Sequence, residues 1–164
     1  MKKNKINTKR IMLWVFFIVY LVVLIKVIFF KYPPCVIYDL LKTRNESWSF
    51  RITNSNIIPM KTIWYYLSGN ESTLISIKNI LGNILAFTPL GFFVFKLFKM
   101  FRRPRNILII SFIISISFEL IQLFTGIGCY DIDDVLLNVI GAVIGYFIGR
   151  LCTNNSNQYR GFIS

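Results

Sequence analysis

Residues 131–149 read DIDDVLLNVIGAVIGYFIG, and this stretch joins a short acidic start to a long apolar run. After its first four residues the stretch contains no charged side chain. Gly141, Gly145 and Gly149 recur every four residues, so they fall on one face of a helix. Small residues at this spacing allow two helix backbones to approach closely inside a membrane. The stretch therefore predicts a membrane-spanning helix with a structural glycine seam against another helix.

The composition of the whole chain agrees with a membrane protein. Of 164 residues, 55% are hydrophobic and only 16% are charged, whereas soluble domains carry roughly 25% charged residues. A helix of about 20 apolar residues crosses the hydrocarbon core of a bilayer. We therefore predict an all-α integral membrane bundle of four transmembrane helices, and the predicted spans are residues 11–30, 80–98, 107–124 and 132–151.

Outside and around these spans, the chain divides into four further regions. We predict a basic N-terminus over residues 1–10, a connector over 31–79, a core over 80–151 and a polar tail over 152–164. Apolar residues between Ile57 and Leu67 have loosely helical spacing, which favours a segment in the membrane interface. A solvated loop is the alternative. In the second span, Pro89 should kink the helix and leave a carbonyl for neighbouring residues to satisfy.

Basic residues are distributed unevenly between the two sides of the predicted bundle. Twelve of the 19 Lys and Arg residues fall in the short segments on the side of both termini, and six are spread through the connector. Cytoplasmic loops of membrane proteins are enriched in Lys and Arg, so both termini are predicted to be cytoplasmic. This distribution explains the net charge of +12 without a nucleic-acid partner.

The residue inventory excludes several kinds of site. The chain has no histidine, so catalysis by a Ser-His or Cys-His pair is excluded. Its three cysteines, Cys35, Cys129 and Cys152, are far apart and form no zinc or redox motif. Free thiols are the default expectation, and a disulfide between Cys35 and Cys129 is the alternative.

Acidic and amide side chains gather near the outer ends of the predicted spans. Glu119 lies about six residues before the end of the third span, hence roughly 9 Å deep. A carboxylate at this depth is costly unless it faces protein or water. We therefore predict a polar, acidic ligand-binding pocket that opens to the outer face. Its candidate residues are Asn79, Asn83, Glu119, Gln122, Asp131, Asp133, Asp134 and Asn138.

Structural roles are open for some of these residues. Asp131 is placed to cap the fourth helix, with Asp134 stabilising the same helix start. Glu119 and Gln122 are suited to hydrogen bonds between helices. If a metal binds, the candidate ligands are Asp131, Asp133, Asp134 and Glu119, because carboxylate oxygens suit a hard cation.

Three motifs together resemble the VanZ-like family. These are Asn79-Ile-Leu-Gly82-Asn83 continuing to Phe92, Ser115-xxx-Glu119-xx-Gln122, and Asp131-Ile-Asp133-Asp134 continuing to Gly141. The segment Asn56-Ile-Ile-Pro59 is similar to the family's pattern upstream, and the resemblance covers residues 51–149. The turn over 125–130 lacks an arginine that the family pattern leads us to expect, which would leave the pocket more negative.

The resemblance implies a multi-pass protein of the bacterial plasma membrane connected with resistance to teicoplanin-type glycopeptides. It does not supply a mechanism, so three hypotheses stay open and no residue is assigned a catalytic role. One is a non-enzymatic protein that binds membrane lipids or a lipid-linked or lipoglycopeptide ligand. Another is an enzyme that uses a divalent cation on a lipid-linked substrate. The third is a cation-coupled transporter with Glu119 as carrier, which would need a homo-oligomer.

The predicted orientation is tested by cysteine-accessibility labelling of Arg103→Cys and Thr125→Cys. Because basic short loops stay in the cytoplasm, the two positions should react from opposite sides of the membrane. Labelling of Arg103→Cys from outside intact cells would reverse the orientation and move the pocket to the cytoplasmic face.

Overall fold

A computed structural model describes residues 8–29 and 48–161, without the side chains of residue 50 and residues 154–161. Within these ranges the secondary structure is helical, apart from turns and one isolated β-bridge. Six α-helices occur, together with a 3₁₀ turn at Lys99–Arg102. The helices are α1 (Thr8–Phe29), α2 (Trp48–Thr53), α3 (Lys61–Leu67), α4 (Thr73–Leu97), α5 (Pro104–Thr125) and α6 (Ile132–Gly161).

Four of the helices, α1, α4, α5 and α6, are long and apolar enough to cross a membrane. A helix of 22 residues such as α1 is about 33 Å long, which matches the thickness of the hydrocarbon core. Many of their large apolar side chains point outward, and Val22 and Leu85 are each 63% exposed. The predicted all-α bundle of four transmembrane helices is confirmed.

Two helix boundaries differ from those expected from hydropathy. Helix α4 begins at Thr73 rather than near Ile80, because the Ser72 hydroxyl accepts a hydrogen bond from the Ile75 amide and caps the helix. In its first two turns the apolar residues are interrupted by Ser76, Lys78 and Asn79, so a search for continuous apolar runs misses them. Helix α6 continues through the polar tail to Gly161.

The glycine seam of α6 packs directly on the backbone of α4. A Cβ on Gly141 would overlap the carbonyl oxygen of Ile84, and one on Gly145 would overlap that of Thr88. The contact is reciprocal, since a Cβ on Gly91 of α4 would overlap the Ala142 carbonyl. At Gly149 the nearest contact is a side chain instead of backbone, because a Cβ there would meet the Phe95 ring. The seam therefore joins these two helices at backbone distance.

Helix α4 continues through Pro89. Pro89 cannot donate a backbone hydrogen bond, so the carbonyl four residues earlier, that of Leu85, lacks its helical donor. The Thr88 hydroxyl donates to the Ile84 carbonyl at 2.8 Å, and the Tyr20 hydroxyl of α1 donates to the Ala86 carbonyl at 2.7 Å. Both hydrogen bonds reach the carbonyls on either side of Leu85 in the sequence, not the Leu85 carbonyl itself.

Helix α1 is held against α4 by aromatic side chains. Phe17 lies 5.7 Å from Phe93 and 6.4 Å from Phe98, measured between ring centroids. Trp14 meets Phe98 edge to face at 5.3 Å. Such pairs add packing energy beyond simple area burial. In contrast to the α4–α6 seam, this contact uses large side chains rather than close backbones.

The described part of the connector contains α2 and α3, and α3 lies where the apolar spacing predicts a helix. Its Ile63 is buried, but Trp64 and Leu67 are 70% and 68% exposed. Exposed apolar and aromatic side chains of this kind suit the membrane interface, so an interfacial position remains the prediction. Residues 31–47 of the connector, including Cys35, lie outside the described residues, and so does the test of a Cys35–Cys129 pairing.

The seam predicts that Gly145→Leu disrupts the fold. A leucine at this position must displace the α4 backbone, which we expect to destabilise the protein by on the order of 3 kcal/mol and to lower the yield of folded protein. Thermal unfolding of the detergent-purified chain measures the effect. Gly82→Leu is the matched control, because a Cβ there meets nothing within 4 Å. Equal stability of the two variants would contradict the seam.

Candidate functional site: a polar cavity between the spanning helices

The ends of the four spanning helices nearest the connector form one side of the bundle, which we call the connector end. There Asn56 pairs with the segment just before α6 through two backbone hydrogen bonds. The Asn56 amide donates to the Tyr130 carbonyl at 2.8 Å, and the Ile132 amide donates to the Asn56 carbonyl at 2.9 Å. This short parallel β-bridge attaches the connector to the start of α6.

The Asp131 carboxylate strengthens this attachment. One of its oxygens accepts a hydrogen bond from the Asn56 side-chain amide at 3.0 Å, and the other accepts from the Thr62 hydroxyl at 2.7 Å. The first oxygen also accepts from the Asp133 amide at 2.8 Å, which caps the beginning of α6 as the sequence predicts.

Asp133 is completely buried, and its carboxylate binds the backbone at the start of α3. Its carboxylate accepts hydrogen bonds from the backbone amides of Met60, Thr62 and Ile63 at 2.5, 2.7 and 3.1 Å. Met60 adopts a left-handed conformation, with φ of 69°, which turns the chain into α3. A buried carboxylate with three amide donors is well compensated. We call Asn56, Thr62, Asp131 and Asp133 the connector clamp.

The remaining predicted site residues meet in a cavity between the spanning helices. The cavity has a volume of about 150 Å³, and we call it the polar cavity. Six of the eight candidates line it, whereas Asp131 and Asp133 do not, because their oxygens bind the connector. The six are Asn79, Asn83, Glu119, Gln122, Asp134 and Asn138.

Several of these six side chains also bind other helices or turns. Glu119 is buried and accepts a hydrogen bond from the Asp131 amide at 3.0 Å. Gln122 donates to the Ile28 carbonyl at the end of α1 at 3.1 Å. Asn83 on α4 donates to the Asp134 carboxylate on α6. Interhelical bonding, the structural alternative for Glu119 and Gln122, is thus present together with their exposure to the cavity.

Asn138 differs from the other lining residues. Only 5% of its surface is exposed, and its side-chain amide donates a hydrogen bond to the Ser115 hydroxyl at 2.8 Å. Its carbonyl oxygen, Oδ1, has no hydrogen-bond partner among the described residues. A buried polar atom without a partner costs about 1–3 kcal/mol. A donor from a ligand or water in the polar cavity would remove this cost.

Lys78 and Gly82 also line the polar cavity, and neither was among the predicted site residues. Lys78 adds a positive charge to the two carboxylates. Gly82 faces open space, since a Cβ there would meet nothing within 4 Å. The available signal for Gly82 was its position on the same helix, about one turn after Asn79 and directly before Asn83.

An apolar groove of about 330 Å³ adjoins the polar cavity between α1 and α4. Val27, Gly82 and Ala86 line both spaces. The groove continues along Tyr20, Val23, Leu24, Leu85 and Pro89. Most of these side chains are apolar, so the two spaces form a polar compartment continued by an apolar one.

The pKa values of Tyr66 and Tyr130, two tyrosines outside the spanning segments, reflect the negative charge at the connector end. Burial raises the pKa of Tyr66, and the nearby carboxylates of Asp134 and Asp131 raise it further. Burial likewise raises the pKa of Tyr130, with Glu119 adding to the effect. Both phenols therefore stay neutral at physiological pH. Tyr66 accepts a hydrogen bond from the Asn79 side chain at 3.0 Å, so it lies at the edge of the polar cavity.

A positive charge does reach the turn over residues 125–130, although that turn contains no arginine. The Arg51 guanidinium donates to the Leu123 carbonyl at 3.1 Å. A Cβ on Gly126 would collide with the same guanidinium. Arg51 therefore supplies from α2 a cation at the end of α5, where helix carbonyls favour positive charge.

The arrangement of the acids bears on the divalent-cation hypothesis. Among residues 8–29 and 48–161, no group of three or more acidic or cysteine side chains is placed to hold a metal ion. The oxygens of Asp131 and Asp133 face backbone and side-chain donors instead. The expected carboxylate cluster is thus divided between the connector clamp and the polar cavity.

The four apolar helices and the polar cavity between them define a multi-pass helical membrane protein. The model of the VanZ/LLP1 family matches residues 17–153, and the chain belongs to this family. A relative from Enterococcus faecium, named Protein VanZ, is 27% identical over 140 residues, which cover 85% of this chain and 74% of the relative. No solved structure matches the chain.

The connector clamp predicts the effect of Asp133→Asn. Both carboxylate oxygens of Asp133 accept hydrogen bonds from backbone N–H groups, so the NH₂ group of the new asparagine must face one of these donors. The lost hydrogen bond should destabilise the attachment of α3 by about 1–3 kcal/mol and loosen this helix. Limited trypsin cleavage after the exposed Lys61 measures this loosening, and we expect faster cleavage. Glu71→Gln, which removes one charge from the same end outside the clamp, is the control. Equal cleavage rates in both variants would contradict the clamp.

Proposed function

We propose that this protein is a non-enzymatic binding protein of the bacterial plasma membrane whose ligand is an amphiphile. The ligand's polar headgroup occupies the polar cavity, and its apolar chain lies in the adjoining groove. With both termini in the cytoplasm, as the basic residues predict, the cavity opens at the outer leaflet. Membership of the VanZ/LLP1 family supports a role in teicoplanin-type glycopeptide resistance as the cellular consequence of this binding.

The observation that carries the proposal is the continuity of the polar cavity and the apolar groove. Val27, Gly82 and Ala86 line both spaces, so a single molecule can extend from one into the other. A site for a wholly polar solute has no use for an apolar extension. The combination instead matches a molecule with a headgroup and a hydrocarbon chain.

Charge and hydrogen bonding restrict the headgroup. The polar cavity combines the carboxylates of Glu119 and Asp134 with the ammonium group of Lys78, which leaves one net negative charge. The unpartnered Oδ1 of Asn138 adds a buried acceptor. These features favour a headgroup that donates hydrogen bonds and is neutral or positively charged, such as an ammonium, amide or sugar group.

Size restricts the ligand further. A cavity of 150 Å³ accommodates a group of about the size of benzene. A whole glycopeptide is far larger, so the polar cavity can receive only one small part of it. The proposed role in resistance therefore depends on a membrane lipid, a lipid-linked molecule, or the lipid-bearing portion of a lipoglycopeptide.

Binding of a long-chain alkylammonium, dodecylammonium, to the purified full chain tests the headgroup half of the proposal. Glu119→Gln keeps an oxygen that can accept from the Asp131 amide but removes the charge, and Asp134→Asn keeps an acceptor for Asn83. We expect each variant to fold normally and to bind roughly tenfold more weakly, because a charge-assisted hydrogen bond becomes a neutral one. Glu71→Gln is the control. Unchanged affinity in both variants would overturn the charged headgroup site.

The proposal that the ligand's hydrocarbon chain lies in the apolar groove is tested by Gly82→Leu with the same probe. The leucine enters open space, so the protein should fold, but its side chain fills the junction between groove and cavity. We expect this variant to lose binding of dodecylammonium. Leu81→Phe is the control, because it adds bulk at the neighbouring exposed position, and it should bind normally. Equal binding by the two variants would contradict the shared junction. The link to resistance is tested by measuring the teicoplanin susceptibility of cells that express either Gly82→Leu or Leu81→Phe.

A further inference from the structure

A second cavity lies at the opposite end of the bundle, between the end of α4, the 3₁₀ turn and α6. Its volume is about 430 Å³, and we call it the basic cavity. Its charged lining residues are Arg102, Arg103 and Arg150. Phe95 and Tyr146, both buried, contribute an apolar floor.

The turn that carries two of these arginines has a defined position. The Tyr146 hydroxyl of α6 donates to the Arg102 carbonyl at 3.0 Å. At the other end of the turn, the Asn106 side chain donates to the Met100 carbonyl at 2.6 Å. These bonds fix the backbone of the turn, so that Arg102 and Arg103 share one cavity with Arg150.

The arginines have no acidic counterpart at this end of the described protein. Each acidic residue within residues 8–29 and 48–161 belongs to the connector end, separated by the length of the spanning helices. These acids are Glu71, Glu119, Asp131, Asp133 and Asp134. Glu119 and Asp134, the acids nearest to this end along their helices, lie 15 and 16 residues from Pro104 and Arg150, or about 23 Å, which is far beyond the roughly 4 Å reach of an ion pair. The positive charge of the basic cavity is therefore not neutralised by these carboxylates.

We infer that the basic cavity binds the phosphate group of an anionic phospholipid. Guanidinium groups bind phosphate oxygens in a paired, fork-like geometry. The cavity is at the ends of membrane-spanning helices, hence at headgroup depth, and basic recesses between such helices suit anionic headgroups. The first turn of α5, which begins at Pro104 beside the cavity, adds the positive end of a helix dipole. This site is independent of the polar cavity.

The test compares two variants of the full chain that lose the same charge. Arg103→Gln with Arg150→Gln removes two arginines that line the basic cavity. Lys99→Gln with Arg105→Gln removes two basic residues of the same end that do not line it. All four side chains are exposed, so both variants should fold. Binding of phosphatidylglycerol in neutral detergent is measured by native mass spectrometry, with phosphatidylcholine and inorganic phosphate as further probes.

We expect the cavity variant to bind phosphatidylglycerol at least about tenfold more weakly than the unaltered chain, and the charge-matched variant to lose no more than about threefold. Phosphatidylcholine and inorganic phosphate should bind more weakly than phosphatidylglycerol to the unaltered chain. Equal losses in the two variants would overturn the site in favour of general surface charge. Inorganic phosphate binding as tightly as phosphatidylglycerol would overturn the assignment to a lipid.

Discussion

The backbone contact between α4 and α6 is the interaction on which the rest of the bundle depends. Inside a bilayer, burying apolar side chains gains little, because lipid chains are as apolar as the protein. Close packing and hydrogen bonds must therefore hold the helices together, and Gly141 and Gly145 permit the closest approach described here. Asn83 and Asp134 meet across the same two helices. A bulkier seam would separate these two groups and open one wall of the polar cavity.

The sequence predicted the fold well because a membrane imposes long apolar runs. The four spans and the glycine seam could be recognised from composition and spacing alone. Helix ends were harder, since Ser72 caps α4 two turns before the continuous apolar run begins and hydropathy records only that run. Likewise, nothing in the composition of the tail indicates that α6 continues to Gly161. Helix length outside the hydrocarbon depends on local hydrogen bonds, not on hydropathy.

The candidate site was predicted in part. Helical spacing predicted that the polar residues share one space, because residues three or four apart share a helix face, and six of them line the polar cavity. The same reasoning assigned Asp131 and Asp133 to that space, and they instead bind Asn56 and the start of α3. Contacts between segments more than 70 residues apart cannot be derived from periodicity. The motif beginning at Asn56 was noted only for its similarity to the family pattern, and its partner became evident only in the folded chain.

The connector clamp also has a consequence for the order in which the protein is built. Asn56 and Asp133 are 77 residues apart, and chains are synthesised from the N-terminus. When Asn56 leaves the ribosome, its partner has not yet been translated, and the clamp can close only after α6 begins to emerge. Until then α3 lacks its hydrogen bonds to Asp131 and Asp133. Closure of the clamp therefore marks the arrival of the last spanning helix, and a chain truncated before Asp131 would lack this step.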